Sequence, residues 1–107
     1  MDRDYAQVCM EVRFEDAALD QLETDARFDA GLPAPVVRAF RKVMQVIRAA
    51  PDERTFYQMK SLRFEKLKGA RSGSHSMRLN KQWRLIVRFE GEAPGKVVCV
   101  VAVEDYH

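Results

Sequence analysis

The chain of 107 residues has only two cysteines, Cys9 and Cys99, and two histidines, His75 and His107. Two cysteines cannot build a disulfide scaffold, and both lie in apolar runs, the pattern of buried free thiols in a reducing compartment. With two histidines and no cysteine or carboxylate cluster at ligand spacing around them, the sequence gives no metal site, and no cofactor is expected. The longest apolar stretch falls far short of the ~20 residues that span a bilayer. No basic-then-apolar leader opens the chain, so a cytoplasmic protein without a membrane partner is expected. Repeats, low-complexity tracts and linkers are also lacking, and the length leaves room for a single domain over 1–107. The glycines do not form a phosphate-cradling loop, because Lys68-Gly69-Ala70-Arg71-Ser72-Gly73-Ser74 has neither the P-loop spacing nor a helix after it.

What the chain does have is an uneven charge distribution. The formal net charge is only +2. Residues 1–35 carry three basic and nine acidic groups, a net of −6. Residues 36–88 carry fourteen basic and three acidic, a net of +11, and residues 89–107 have a net of −3. A basic central block in a nearly neutral chain points to a polyanionic partner for one face.

Hydrophobic periodicity places the elements. Residues 7–14 read as a first strand. A helix follows, with Asp16 as its cap and Leu19, Leu22 and Ala26 at helical spacing, until Gly31, Pro33 and Pro35. The next helix is strongly amphipathic, with Val36, Val37, Phe40, Val43, Met44 and Ile47 on one side and Arg38, Arg41, Lys42, Gln45 and Arg48 on the other. Pro51-Asp52 ends it, and residues 52–58 form a short turn or helix. Leu62, Phe64 and Leu67 predict an irregular strand ending at Gly69. Residues 73–80 and 83–90 alternate as strands around the turn Asn80-Lys81-Gln82, residues 91–95 form another turn, and 97–103 read as a strand covered on both sides. This order predicts an α+β fold, with two N-terminal helices on one face of a mostly antiparallel sheet. The alternation puts Met77, Leu79, Trp83, Leu85, Val87 and Phe89 under the helices, with Trp83 in the core and His75 as a packed, hydrogen-bonded residue. It puts Arg78, Arg84 and Arg88 on the opposite face, expected to be exposed and suited to paired donation to phosphates.

The closing Asp105-Tyr106-His107 follows directly on the last strand. It offers a carboxylate, a phenol and an imidazole at the sheet rim, although such a tail also fits a frayed terminus. A Ser–His–Asp triad drawn from Ser76, His107 and Asp105 is the weaker option, since strand serines are usually polar surface.

Three segments in register carry a resemblance. They are Phe64-Glu65-Lys66-Leu67-Lys68-Gly69-Ala70-Arg71-Ser72-Gly73, Ser76-Met77-Arg78-Leu79-Asn80-Lys81-Gln82-Trp83-Arg84, and Glu104-Asp105-Tyr106-His107. Together they resemble HigB-type toxins of the RelE/ParE toxin–antitoxin superfamily, which share a Leu-Lys-Gly-x-Arg-x-Gly loop, a Gln-Trp-Arg strand start and a closing Asp-Tyr-His. The resemblance is strongest over residues 62–107, and residues 1–8 read as an extension. It implies a compact RelE-like fold and a metal-independent endoribonuclease that cuts translated mRNA in the ribosomal decoding site by 2′-hydroxyl attack. The implied partners are the ribosome and a HigA-like helix-turn-helix antitoxin. The implied catalytic residues are Lys68, Arg84, Asp105, Tyr106 and His107. Arg71, Arg78 and Arg88 are expected to hold RNA phosphates, with Glu65 on the same surface. Glu65 stands where some members of the family have a histidine. Two other readings share the fold: a non-catalytic gyrase inhibitor of the ParE branch, and an inactive relative that binds RNA or antitoxin.

Overall fold

The computed structural model describes residues 10–92 and 96–105. Its elements, in chain order, are β1 (Glu11–Phe14), α1 (Ala17–Thr24), α2 (Ala34–Ala49), α3 (Arg54–Gln58), β2 (Glu65–Lys66), β3 (Ser74–Arg78), β4 (Trp83–Glu90) and β5 (Val97–Asp105). The strands form one sheet in the order β1-β5-β4-β3-β2. Only the β1–β5 pair is parallel, so the first strand lies beside the last and the rest is antiparallel.

Local chemistry sets the helix limits. Asp16 caps α1, its carboxylate accepting the Ala18 N–H at 2.9 Å. The helix ends at Thr24, short of the expected Ala26, because Asp25 turns extended and Arg41 takes the carbonyls of Leu22, Asp25 and Phe28 at 2.9–3.0 Å. Pro35 lies in the first turn of α2, where its missing N–H costs nothing, so it starts that helix as much as it stops the previous one. Ala50, which precedes Pro51, is extended and closes α2. All six apolar residues expected on the inner side of α2 are buried. All but Val36 meet Leu19 and Leu22 of α1 and Met77, Leu85, Val87, Val98 and Val100 of the sheet in one core. Arg48 pairs with Glu23 at 2.7 Å and ties α2 back to α1.

Several expectations are corrected. The segment 62–69 is not one irregular strand. A single 3-10 turn covers Lys60–Leu62, Arg63 then adopts a left-handed conformation (φ 46°, ψ 51°), and only Glu65–Lys66 pairs with β3. Trp83 is half-buried and not core, because it is the first residue of β4, over the edge of α2 beside Pro33, Pro35 and Val36. Ser76, a strand serine expected at the polar surface, is buried, as is Ser74. Cys99 is buried and free, while Cys9, the extension 1–8 and part of the 91–95 turn lie outside the described residues.

Candidate functional site

Strand register defines the sheet face away from the helices. Opposite residues across β3, β4 and β5 form two adjoining rows, Ser76–Ile86–Ala102 and Arg78–Arg84–Glu104. Glu65 of β2 extends the first row, directly across from Ser76. A bulge in β5 around Val101 keeps Ala102 and Glu104 on this face after the register shifts.

Arg84 is at the centre, and its environment overturns the expectation of an exposed arginine. It is 7% exposed. Its Nε donates to Ser76 Oγ at 2.9 Å and its Nη2 to the Arg63 carbonyl at 2.6 Å. Taking a cation out of water costs several kcal/mol, and charge-assisted hydrogen bonds return about 1.5–3 kcal/mol each. The result is a guanidinium that is fixed rather than free to swing, with the left-handed Arg63 turn and β3 as its frame. Residue alternation assigned Arg84 to the correct face but carried no information about what covers it. Sequence reasoning missed both supports: Ser76 because strand serines are commonly plain surface, and Arg63 because an arginine has no local signature for φ above zero.

Arg78 faces Arg84 directly across the strands and is half-buried, its Nε donating to the Asn80 carbonyl at 3.2 Å. A cleft of about 420 Å³ opens beside the pair, lined by Arg63, Arg78, Asn80, Lys81 and Arg84. On the other side of Arg84, Glu104 forms a two-pronged ion pair with Arg71 at 2.8 and 2.5 Å. Arg71 ends the 3-10 turn Gly69–Arg71, and its loop is reversed by Gly69 (φ 70°) and Gly73 (φ 97°), conformations that a side chain would strain. Lys68 is exposed at the start of this loop. Asp105 is exposed at the end of β5 and accepts from Gln82 Nε2 at 3.2 Å. Tyr106 and His107 lie outside the described residues.

Arg84, Arg78, Arg71 and Glu65 are thus brought onto one face, with Lys68 exposed at the start of the loop that carries Arg71, while Asp105 lies across from Trp83, on the other side of the sheet at its end. Arg88 is not part of this group. It lies four residues along β4, ~13 Å from Arg84 at strand rise, in a cradle of Glu15 and Glu90, the latter at 3.1 Å. The Cys99 thiol shares that cradle, its ligand atom within 4.8 Å of both carboxylates. Burial, then the neighbouring Glu90, pushes the thiol pKa above its ordinary value and keeps it protonated. Arg88 bridges the two acids, which accounts for the cluster without a metal ion.

A family model described as "RelE-like toxin of type II toxin-antitoxin system HigB" matches residues 12–107. The chain belongs to the HigB-like toxin family. Toxin HigB-1 of Vibrio cholerae serotype O1 is 31% identical over 80 residues, covering 75% of this chain and 84% of that protein. The fold agrees. A YoeB/ParE toxin from Agrobacterium tumefaciens superposes with a TM-score of 0.59 at 21% identity, over 92% of this toxin and 100% of that chain. A chain of the YoeB–YefM complex from Staphylococcus aureus gives 0.54 at 16% identity, over 92% and 97%. The chain is therefore a type II toxin of the RelE superfamily, with the five-stranded α+β fold of that group.

Proposed function

We propose that this toxin is a ribosome-dependent endoribonuclease that cuts translated mRNA and is neutralised by a HigA-like antitoxin. The observation that carries the reading is Arg84, a buried guanidinium held in place on a face with further cations around it. RNA supplies its own nucleophile, the 2′-hydroxyl. The protein must stabilise charge developing on the phosphorus oxygens, remove the hydroxyl proton and protonate the departing 5′-oxygen. A cation already fixed where charge develops needs no reorganisation during the reaction, which is the condition under which electrostatic stabilisation is largest. Arg84 takes that role. Lys68, at the entrance of its loop, adds positive charge at the phosphate. Asp105, Tyr106 and His107 supply groups for proton transfer and for orienting a base, each positioned proton donor or acceptor being worth ~10²–10⁴ in rate. Asp105 already accepts a hydrogen bond from Gln82, which fixes its carboxylate at the rim. Glu65, across from Ser76, lines the same face, and Arg71 becomes a phosphate ligand when its pair with Glu104 opens.

The test is to induce wild type, Arg84→Ala, Arg84→Lys and a chain lacking Tyr106 and His107 in a bacterium and to map mRNA ends. Cleavage within translated codons by wild type, abolished in Arg84→Ala and in the truncated chain while circular dichroism shows them folded, supports the reading. Lysine keeps the charge but not the two-point anchorage on Ser76 and Arg63, so Arg84→Lys is expected to retain only a small fraction of cleavage. Growth arrest with intact mRNA, or with DNA-damage signalling, overturns it in favour of the gyrase-directed branch.

A further inference from the structure

The cleft beside Arg84 is lined by four cations and one amide: Arg63, Arg78, Lys81, Arg84 and Asn80. Among the described residues, no carboxylate lines it. Elsewhere in the toxin Arg48, Arg54, Arg71, Arg88 and Lys96 each meet an acid. Arg63, Arg78 and Lys81 have no ion pair among the described residues. The like charges of Arg78 and Arg84 are direct cross-strand partners, an arrangement that destabilises a sheet unless an anion intervenes.

From this we infer a second phosphate subsite, formed by Arg63, Arg78 and Lys81, that binds the RNA phosphate next to the one at Arg84. The inference rests on the reading of this face as RNA-binding and adds a direction to it: the backbone runs from Arg84 toward the β3–β4 turn. The volume of about 420 Å³ holds a phosphate and part of its sugar. Arg78 is held by the Asn80 carbonyl through Nε and lines the cleft. Lys81 is exposed at the turn, where a flexible ammonium can follow the chain. Arg63 contributes twice, its carbonyl fixing Arg84 and its side chain lining the cleft.

The test uses a single-stranded RNA twelve nucleotides long with 2′-O-methyl groups throughout, which binds but cannot be cut. Its affinity is measured against KCl concentration for wild type, Arg63→Gly, Lys81→Ala and the double variant, with Arg54→Ala on α3 as the control. Glycine favours the left-handed backbone of residue 63, so Arg63→Gly removes the side chain and keeps the carbonyl on Arg84. Each cleft variant is expected to weaken binding several-fold and to reduce the slope of log K against log salt by ~0.7, the value for one lost phosphate contact on a single strand. Slopes and affinities equal to those of the control, on both the oligonucleotide and isolated ribosomes, overturn the subsite. Loss on the oligonucleotide assigns the phosphate to mRNA, and loss on ribosomes alone assigns it to ribosomal RNA. The readout is binding, so the subsite stands or falls separately from cleavage: a toxin that shows these losses but never cuts mRNA keeps the subsite and loses the nuclease.

Discussion

Replacing Ser76 with alanine removes the acceptor for Arg84 Nε from the middle of a buried row. A charged donor left unsatisfied costs about 1–3 kcal/mol, to be seen as a lower denaturant midpoint. Ser76 is a positioning residue, so cleavage should fall with little change in RNA affinity, and Ser76→Thr, which keeps the hydroxyl, should restore it. His75 poses a different residue-scale question. It is packed as expected, stacked on Phe64 at 4.8 Å and against Phe89, but the expected hydrogen bond is missing at Nδ1, which these rings bury without a partner among the described residues. Burial lowers its pKa below the ordinary 6.5, with Glu53 opposing and Lys66 and Lys96 assisting. The unfolded chain therefore takes up the proton first as pH falls. Stability is complete above about 6.5 and declines below it until the folded-state value is passed. Urea unfolding at pH 7.5 and 5.5 should show this loss, and His75→Phe should reduce it.

At the scale of elements, the sequence was most informative where one physical rule acts alone. Asp16, Pro35 and Pro51 mark helix limits through backbone chemistry, and the apolar side of α2 follows from its period. Phe40 lies fully buried on that side, so Phe40→Ala should cost about 3–5 kcal/mol in chemical denaturation. Period-two alternation also gave the correct face for Arg78 and Arg84. It failed on burial, because parity says which way a side chain points and not what later packs over it. Nor does any local pattern mark the Arg63 turn or the parallel β1–β5 pair, which joins residues more than eighty positions apart. The 68–73 loop joins the site through the Arg71–Glu104 pair. Both partners are well exposed, so Glu104→Gln should change stability by less than about 1 kcal/mol. The same change frees Arg71 and removes a negative charge beside Arg84, so affinity for uncut RNA should rise in a filter-binding or anisotropy measurement.

At the scale of the whole molecule, the +11 block overstates the charge available to a partner. Folding brings Glu15, Glu23, Glu90 and Glu104 from the acidic flanks onto Arg88, Arg48 and Arg71 of the basic centre. Among the described residues Arg63, Arg78 and Lys81, which line the cleft beside Arg84, have no ion pair, and neither have Arg38, Lys42, Lys60, Lys66 and Lys68 elsewhere on the surface. The salt slope of RNA binding should accordingly be near ~−1.4, as for the two adjacent phosphates on this face, and not the ~−8 that the whole block would give. The sheet order has a consequence in time as well. β5 is synthesised after every other strand, yet it sits between β1 and β4, and its Glu104 flanks Arg84. While a ribosome is still making this chain, β1 and β4 have no strand to join them and the face around Arg84 is incomplete. The architecture thus delays the appearance of a complete face around Arg84 until β5 has left the exit tunnel.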